Sequence, residues 1–89
     1  MHETHMIEPV IKGILEHAKK ESAKSVTKVH LKVGFLTGVK EESFKETFRM
    51  LSQGTLLEGA RLELTFFPGT RVEVISFDID TQLKGEHHV

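Results

Sequence analysis

The amino-acid sequence predicts a small α/β domain of the α+β type, in which two helices pack on one face of a three-stranded sheet. Apolar residues recur every three or four positions in two segments and alternate with polar residues in three others. Glycine, proline and short polar runs separate these segments, whose order is helix–strand–helix–strand–strand. Because each strand has one polar face, both helices are expected on the same side of the sheet, and the other side is expected to face solvent.

The first helix is predicted to begin near Met6 and to end between Ser22 and Ser25, with Thr4 as its candidate N-cap. Pro9 suits this helix only in or near the first turn, where its missing N–H is not needed. The apolar stripe that would face the core consists of Ile7, Val10, Ile11, Ile14, Leu15 and Ala18.

The middle of the chain predicts a strand, a turn and the second helix. Residues 26–33 alternate between apolar and polar side chains, as a strand with one buried face does. Residues 34–38 begin and end with glycine and are predicted to form a turn. The second helix is predicted at about Glu41 to Gln53, and Gly54 is expected to end it.

A second strand is predicted at residues 60–67, and residues 67–70 are predicted to form a tight turn after it. In that turn Pro68 presets φ, and Gly69 is expected to supply a positive φ.

The last strand is predicted at residues 71–80. Its apolar side chains move from one set of alternate positions to the other, so a β-bulge is expected near Val74 to Ser76. Residues 1–80 are therefore predicted to form one domain. The remaining residues, 81–89, are polar and are predicted to be a flexible tail.

Charge and composition exclude several classes of function. Twelve basic and thirteen acidic residues give a net charge of −1, which argues against nucleic acid or an anionic membrane as a partner. No apolar run approaches the roughly 20 residues that span a bilayer. The N-terminus lacks the pattern of a signal peptide, so Met1 is expected to be the mature start and the cytoplasm the location.

The chain has no cysteine, which excludes disulfides, thiol nucleophiles, iron–sulfur clusters and cysteine-based zinc sites. Any metal ion would therefore be held by histidine, carboxylate or backbone groups. No catalytic or organic-cofactor residues are predicted, because the sequence offers no Ser/His/Asp set, phosphate loop or paired carboxylates. An enzyme is not expected.

The first three residues, Met1, His2 and Glu3, form a candidate metal site. The α-amino group, a main-chain amide and the His2 imidazole can close fused chelate rings, and Glu3 adds an amide nitrogen or a carboxylate oxygen. Such a nitrogen-rich set suits square-planar Ni(II) or Cu(II) better than calcium or magnesium. Its ligands must lose protons, so metal binding is expected to weaken as pH falls.

Four stretches carry a resemblance to a known family: MHE at 1–3, VGFLTGV at 33–39, QGTLLEGA at 53–60 and TRVEVISFDID at 70–80. In this order they resemble the HypA family of hydrogenase-maturation nickel-delivery proteins, over roughly residues 1–80. The resemblance implies a mixed α/β domain that binds nickel through the N-terminus.

Members of that family carry a second, zinc-binding domain with paired CxxC motifs, inserted between the last two strands. In this chain residues 67–70 join those strands directly, so it resembles the nickel-binding domain alone, as a natural short paralogue or a trimmed form. No structural zinc is expected. Two residues depart from the family pattern, Phe35 at an acidic position and His5 at a small hydroxyl position.

The resemblance implies that nickel is held by the α-amino group of Met1, the imidazole of His2, and the amides of His2 and Glu3. His5 is close enough in sequence to be an additional or rival ligand. Simpler interpretations stay open: Glu3 as an acidic residue favourable to the helix dipole, and His5 as a solvated residue. The other histidines, His17, His30, His87 and His88, are interpreted as surface or tail residues.

Two functions follow. In the first, the protein captures Ni(II) and passes it to a maturation protein or to hydrogenase, by ligand exchange rather than catalysis. In the second, it is a degenerate HypA paralogue that serves as a metal-independent interaction or dimerisation domain. The second would use an exposed strand edge, or the polar sheet face formed by Lys28, His30, Lys32, Arg61 and Glu63, to bind a partner protein or a second copy of itself.

Overall fold

A computed structural model describes residues 2–81, apart from the side chain of His2. The predicted order of elements is confirmed, and the fold is α+β. Its elements are α1 (His2–Lys20), β1 (Ala23–Gly34), a short 3-10 turn (Phe35–Thr37), α2 (Glu41–Ser52), β2 (Arg61–Phe67) and β3 (Val72–Thr81). Most of the predicted tail, residues 82–89, lies outside the described residues.

The three strands form one mixed sheet in the order β2-β1-β3. The central strand β1 runs parallel to β2 and antiparallel to β3. Val29 of β1 lies opposite Leu62 on one side and Phe77 on the other, so these apolar positions share one face. Both β2 and β3 are edge strands.

The core lies between that face and both helices, as predicted. It is built from Ile7, Ile11, Ile14, Ala18, Val26, Val29, Leu31, Val33, Phe44, Phe48 and Leu57, all buried. The opposite face of the sheet carries charged pairs, with Lys28 Nζ 3.6 Å from Glu63 Oε2 and Lys32 Nζ 4.0 Å from Glu73 Oε1. Exposed pairs of this kind contribute little stability, so burial of the apolar face dominates the folding energetics.

The predicted start of the first helix is wrong. α1 begins at His2, so Thr4 lies inside the helix and is not its N-cap. The face that carries the buried Ile7 continues one turn further, to Glu3, whose side chain contacts α2. This contact supports the additional turn. Pro9 consequently lies in the interior of α1, where it cannot donate a hydrogen bond to the carbonyl of His5.

Replacing Pro9 with alanine is therefore expected to stabilise the protein by about 1–2 kcal/mol, less than the roughly 3 kcal/mol typical of a central helix position. Alanine restores the N–H that proline lacks, while it gives back some entropy to the unfolded chain. Chemical unfolding of the two proteins measures the difference. A Pro9→Ala protein less stable than the original would show that the chain bends away from helix at Pro9.

The segment between β2 and β3 differs from its prediction. Positive φ among the glycines of residues 2–81 occurs at Gly38, Gly54 and Gly59, so the expected positive φ at Gly69 is wrong. The two strands lie on opposite sides of β1, about 9–10 Å apart, so a two-residue turn could not join them. Residues 68–71 instead cross over the end of β1.

Two hydrogen bonds fix this crossing to the end of β1. The Gly34 N–H donates to the Arg71 carbonyl at 2.8 Å, and the Leu36 N–H donates to the Gly69 carbonyl at 3.0 Å. Gly34 has room for no side chain, because a Cβ there would overlap the backbone of Gly69. The crossing and the end of β1 therefore form one packed unit.

The predicted bulge in β3 is confirmed. Leu31 lies opposite Val74 and His30 lies opposite Ser76, which leaves Ile75 as the extra residue. Gly54, with φ of 79°, lies just beyond α2 as predicted. The predicted end of the first helix is late, because α1 ends at Lys20 and β1 begins at Ala23. β2 begins at Arg61, one residue later than predicted, and Thr81 of the predicted tail is the last residue of β3.

Candidate metal centre

The candidate ligands that the structure describes lie at the start of α1. Met1 and the side chain of His2 lie outside the described residues, while the backbone of His2 begins the helix. Glu3 is half-buried and His5 is exposed. The structure therefore describes part of the predicted site: the backbone of His2, the carboxylate of Glu3 and the imidazole of His5.

The carboxylate of Glu3 faces the second helix. Ser43 Oγ donates a hydrogen bond to Glu3 Oε2 at 2.8 Å, and this bond joins residues 40 positions apart in sequence. Glu3 precedes the buried Ile7 by one helical turn, so both residues lie on the face of α1 that meets α2. The sequence prediction missed Ser43. The sequence did contain a signal for this contact, because Glu3 lies four residues before Ile7 and therefore on the same helix face as the apolar stripe.

The backbone nitrogens required for chelation are located where a helix leaves them available. His2 and Glu3 are the first residues of α1, and no carbonyl within a helix accepts the N–H groups of its first turn. An amide nitrogen at either residue could therefore bind a metal ion without breaking a hydrogen bond inside the helix. Imidazole, amine and amide nitrogens suit Ni(II), so the chemistry of this donor set fits the ion.

His5 lies apart from the carboxylate of Glu3. Two residues along an α-helix differ by about 200° around its axis, so the two side chains leave the helix on different sides. His5 lines a groove of about 660 Å³ together with Glu8, Pro9, Ile11, Lys12, Leu15 and Leu51. Among the described side chains, those of residues 3–81, no three histidines or carboxylates converge on a point that could hold a metal ion.

The remaining described histidines serve other contacts. The exposed His17 ring lies edge-on to Phe77, with centroids 5.4 Å apart. The Nε2 atom of His30 lies 2.8 Å from Thr65 Oγ1 on the polar sheet face. Both histidines lie at the surface, as predicted. Neither of these two contacts was predicted. His87 and His88 lie outside the described residues.

No helix within residues 2–81 combines the length and the apolar character required to cross a membrane.

Comparison with known proteins identifies the family. A family model described as "Hydrogenase/urease nickel incorporation, metallochaperone, hypA" matches residues 1–72. The hydrogenase maturation factor HypA of Archaeoglobus fulgidus is 38% identical over 65 residues, covering 73% of this chain and 59% of that protein. The same factor of Beijerinckia indica is 39% identical over 69 residues, covering 78% and 61%. The chain belongs to the HypA family, which is a family of metallochaperones and not of enzymes.

A solved structure supports the fold. The solution structure of the nickel metallochaperone HypA from Helicobacter pylori superimposes with a TM-score of 0.76 at 15% sequence identity, covering 90% of this chain and 98% of that one. The chain spans about three fifths of the length of the curated relatives above. The family match ends at residue 72, so the resemblance noted for residues 73–80 extends beyond it.

Proposed function

We propose that this protein captures Ni(II) at its N-terminus and passes it to a partner that matures a nickel enzyme. The ligands are the α-amino group of Met1, the imidazole of His2, and the amide nitrogens of His2 and Glu3, with His5 as an additional or rival ligand. The hydrogenase and urease named in the family description indicate the class of enzyme that receives the metal. The cytoplasm is the proposed location of this transfer.

The observation that carries the proposal is where the family match begins. The family model matches from residue 1 onward, so it includes Met1, His2 and Glu3 together with the scaffold behind them. A short peptide with the same three residues would bind Ni(II) or Cu(II) adventitiously. On this fold His2 and Glu3 begin a helix whose next turn carries the fully buried Ile7.

A terminal position suits delivery because it allows stepwise ligand exchange. An incoming ligand can approach a metal ion at the end of a chain without opening the protein core. The neighbouring His5 is exposed and borders the groove between the helices, so it lies where a partner would approach. Its imidazole could hold the ion transiently while a terminal ligand leaves.

The segment between β2 and β3 supports a second part of the proposal, that no zinc domain is inserted between these two strands. Only residues 68–71 separate the two strands, and the sequence contains no cysteine. Cysteine thiolates are the usual ligands of structural zinc. A partner that recognises the zinc domain of other family members would therefore find only residues 68–71 at this position.

The His2→Ala substitution is expected to lower the affinity for Ni(II) by more than about 100-fold, because loss of a ligand costs more than the 10–100-fold typical of residues that only support ligands. Isothermal titration with Ni(II) measures the change. The matched control is His17→Gln, which removes an exposed imidazole from the same helix and is expected to leave affinity unchanged. Equal affinities in the native and His2→Ala proteins, with α1 retained by circular dichroism, would contradict the proposal.

A second candidate function, metal-independent interaction or dimerisation, is favoured by the exposed apolar residues of the edge strand β3. Val74 and Ile75 are 41% and 47% exposed beside a strand edge that pairs with no other strand of the described chain. Such an edge can bind a partner strand or a second copy. If this is the function, His2→Ala leaves the oligomeric state and partner binding unchanged. If nickel delivery is the function, His2→Ala abolishes the transfer of Ni(II) to the partner.

A further inference from the structure

The hydrogen bond between Ser43 and Glu3 links the two helices at the end that carries the candidate nickel ligands. Ser43 lies in the first turn of α2 and Glu3 in the first turn of α1. Immediately behind this bond, Ile7 and Phe44 are fully buried, with no exposed surface. Ser43 and this bond are exposed, so the bond ties the N-terminal turn of α1 to α2 just outside the core.

The helix dipole favours a carboxylate in the first turn of α1, but it does not fix where the Glu3 side chain points. The first turn of α2 already carries the acidic residues Glu41 and Glu42, and these occupy the favourable position at the positive end of the helix dipole. A third carboxylate nearby is opposed by those charges. The Ser43 hydroxyl, at 2.8 Å from Glu3 Oε2, is therefore the specific group that holds the Glu3 side chain in place.

We propose that Ser43 is a positioning residue of the nickel site: it holds the Glu3 carboxylate against α2 and so leaves the Glu3 amide nitrogen to bind the metal. This inference rests on the proposed function. Glu3 carries two groups able to bind a metal, an amide nitrogen and a carboxylate. Because Ser43 engages the carboxylate, the two groups have separate tasks, and the site keeps a nitrogen-only ligand set.

Removal of the hydroxyl should change both the strength and the type of coordination. Without Ser43 Oγ, the Glu3 side chain is free to turn toward the N-terminus, where its oxygen competes with the amide nitrogen for the metal ion. Oxygen is a weaker-field ligand than a deprotonated amide nitrogen, so the visible absorption band of bound Ni(II) or Cu(II) moves to longer wavelength. The first turn of α1 also loses its tie to α2.

The test measures nickel affinity and the visible absorption spectrum of the metal-loaded Ser43→Ala protein. Affinity is expected to fall about tenfold, as for other residues that support metal ligands, and the absorption band to shift to longer wavelength. Ser43→Thr keeps a hydroxyl at the same position and is expected to restore both. Ser76→Ala, which removes an exposed serine from β3, is the matched control and should change neither.

The outcomes separate this inference from the proposed function. If His2→Ala abolishes binding but Ser43→Ala changes neither affinity nor spectrum, the inference is wrong and the nickel site stands. A fall in affinity without a spectral shift, or failure of Ser43→Thr to restore the native values, would make Ser43 a residue for helix stability only and also overturn the inference. A native protein that binds no nickel would overturn both.

Discussion

Replacing Gly34 with alanine is expected to lower the free energy of unfolding by about 3 kcal/mol, at the upper end of the range for added volume in a packed site. A methyl group at Gly34 would overlap the backbone of Gly69 and come within 2.6 Å of the Thr70 nitrogen. Neither neighbour is a flexible side chain that could move aside. The cost arises from this contact, because the φ of −72° and ψ of 122° at Gly34 suit alanine.

The displaced backbone would also strain the hydrogen bonds that hold the crossing, from Gly34 to Arg71 and from Leu36 to Gly69. For a domain of this size the expected loss corresponds to a melting temperature lower by about 15 °C. Urea unfolding and thermal unfolding both measure it. A change below about 1 kcal/mol would show that residues 68–71 do not pack against the end of β1 as described.

Gly13→Ala is the matched control for this prediction. Gly13 lies on the exposed face of α1, and a Cβ there would meet no atom within 4 Å. Alanine at such a position is expected to raise stability by about 1 kcal/mol, because glycine loses more backbone freedom on forming a helix. The same substitution should therefore have opposite effects at two glycines of one chain.

Hydrophobic periodicity predicted most of the fold because burial on one face leaves a regular pattern in the sequence. The alternation around Val29 and Leu31 predicted the central strand, and the spacing of Phe44 and Phe48 predicted the second helix. The change of apolar parity in β3 also predicted a bulge near residues 74–76, and the structure has it at Ile75. These features are local, so the sequence alone could indicate them.

Features that depend on distant contacts were missed. Thr4 resembled an N-cap, but a contact with Ser43, 40 residues beyond Glu3, accompanies an additional turn of α1. The segment 67–70 has the sequence of a tight turn, but its flanking strands lie on opposite sides of β1. The sequence of the segment carries no information about that strand order. Strand order is a tertiary property, and the Pro–Gly pair reports only local backbone preference.

The sequence indicated which residues of the chain form the candidate site. The chemistry of Met1, His2 and Glu3 depends on covalent neighbours, so the sequence could define it. The hydrogen bond from Ser43 to Glu3 could not be predicted, because it depends on where the Ser43 hydroxyl lies after folding. Met1 and the His2 side chain lie outside the described residues, so the complete ligand set stays a prediction.

Blocking the α-amino group is expected to remove nickel binding at the N-terminus. In an Nα-acetylated protein the amine can no longer bind a metal ion, and the fused chelate rings that begin at Met1 cannot close. Affinity for Ni(II) should fall by more than about 100-fold, since a ligand is removed and not merely one of its supports. The fold should be unaffected, because acetylation adds no contact to the core.

A single residue added before Met1 would not remove the metal site. It would place the histidine third in the chain, where the amine, two amides and the imidazole again surround a square-planar ion. A three-residue extension avoids that arrangement and gives a second way to remove the site. Three residues added after Val89 provide the matched control.

Isothermal titration of Ni(II) into the protein with a free α-amino group, and into its Nα-acetylated form, shows whether nickel binds at the N-terminus. The free form is expected to bind one Ni(II) per chain, and the acetylated form to lose that binding while it keeps its helical circular dichroism. Equal nickel affinity and stoichiometry in the two forms would contradict nickel capture at the N-terminus.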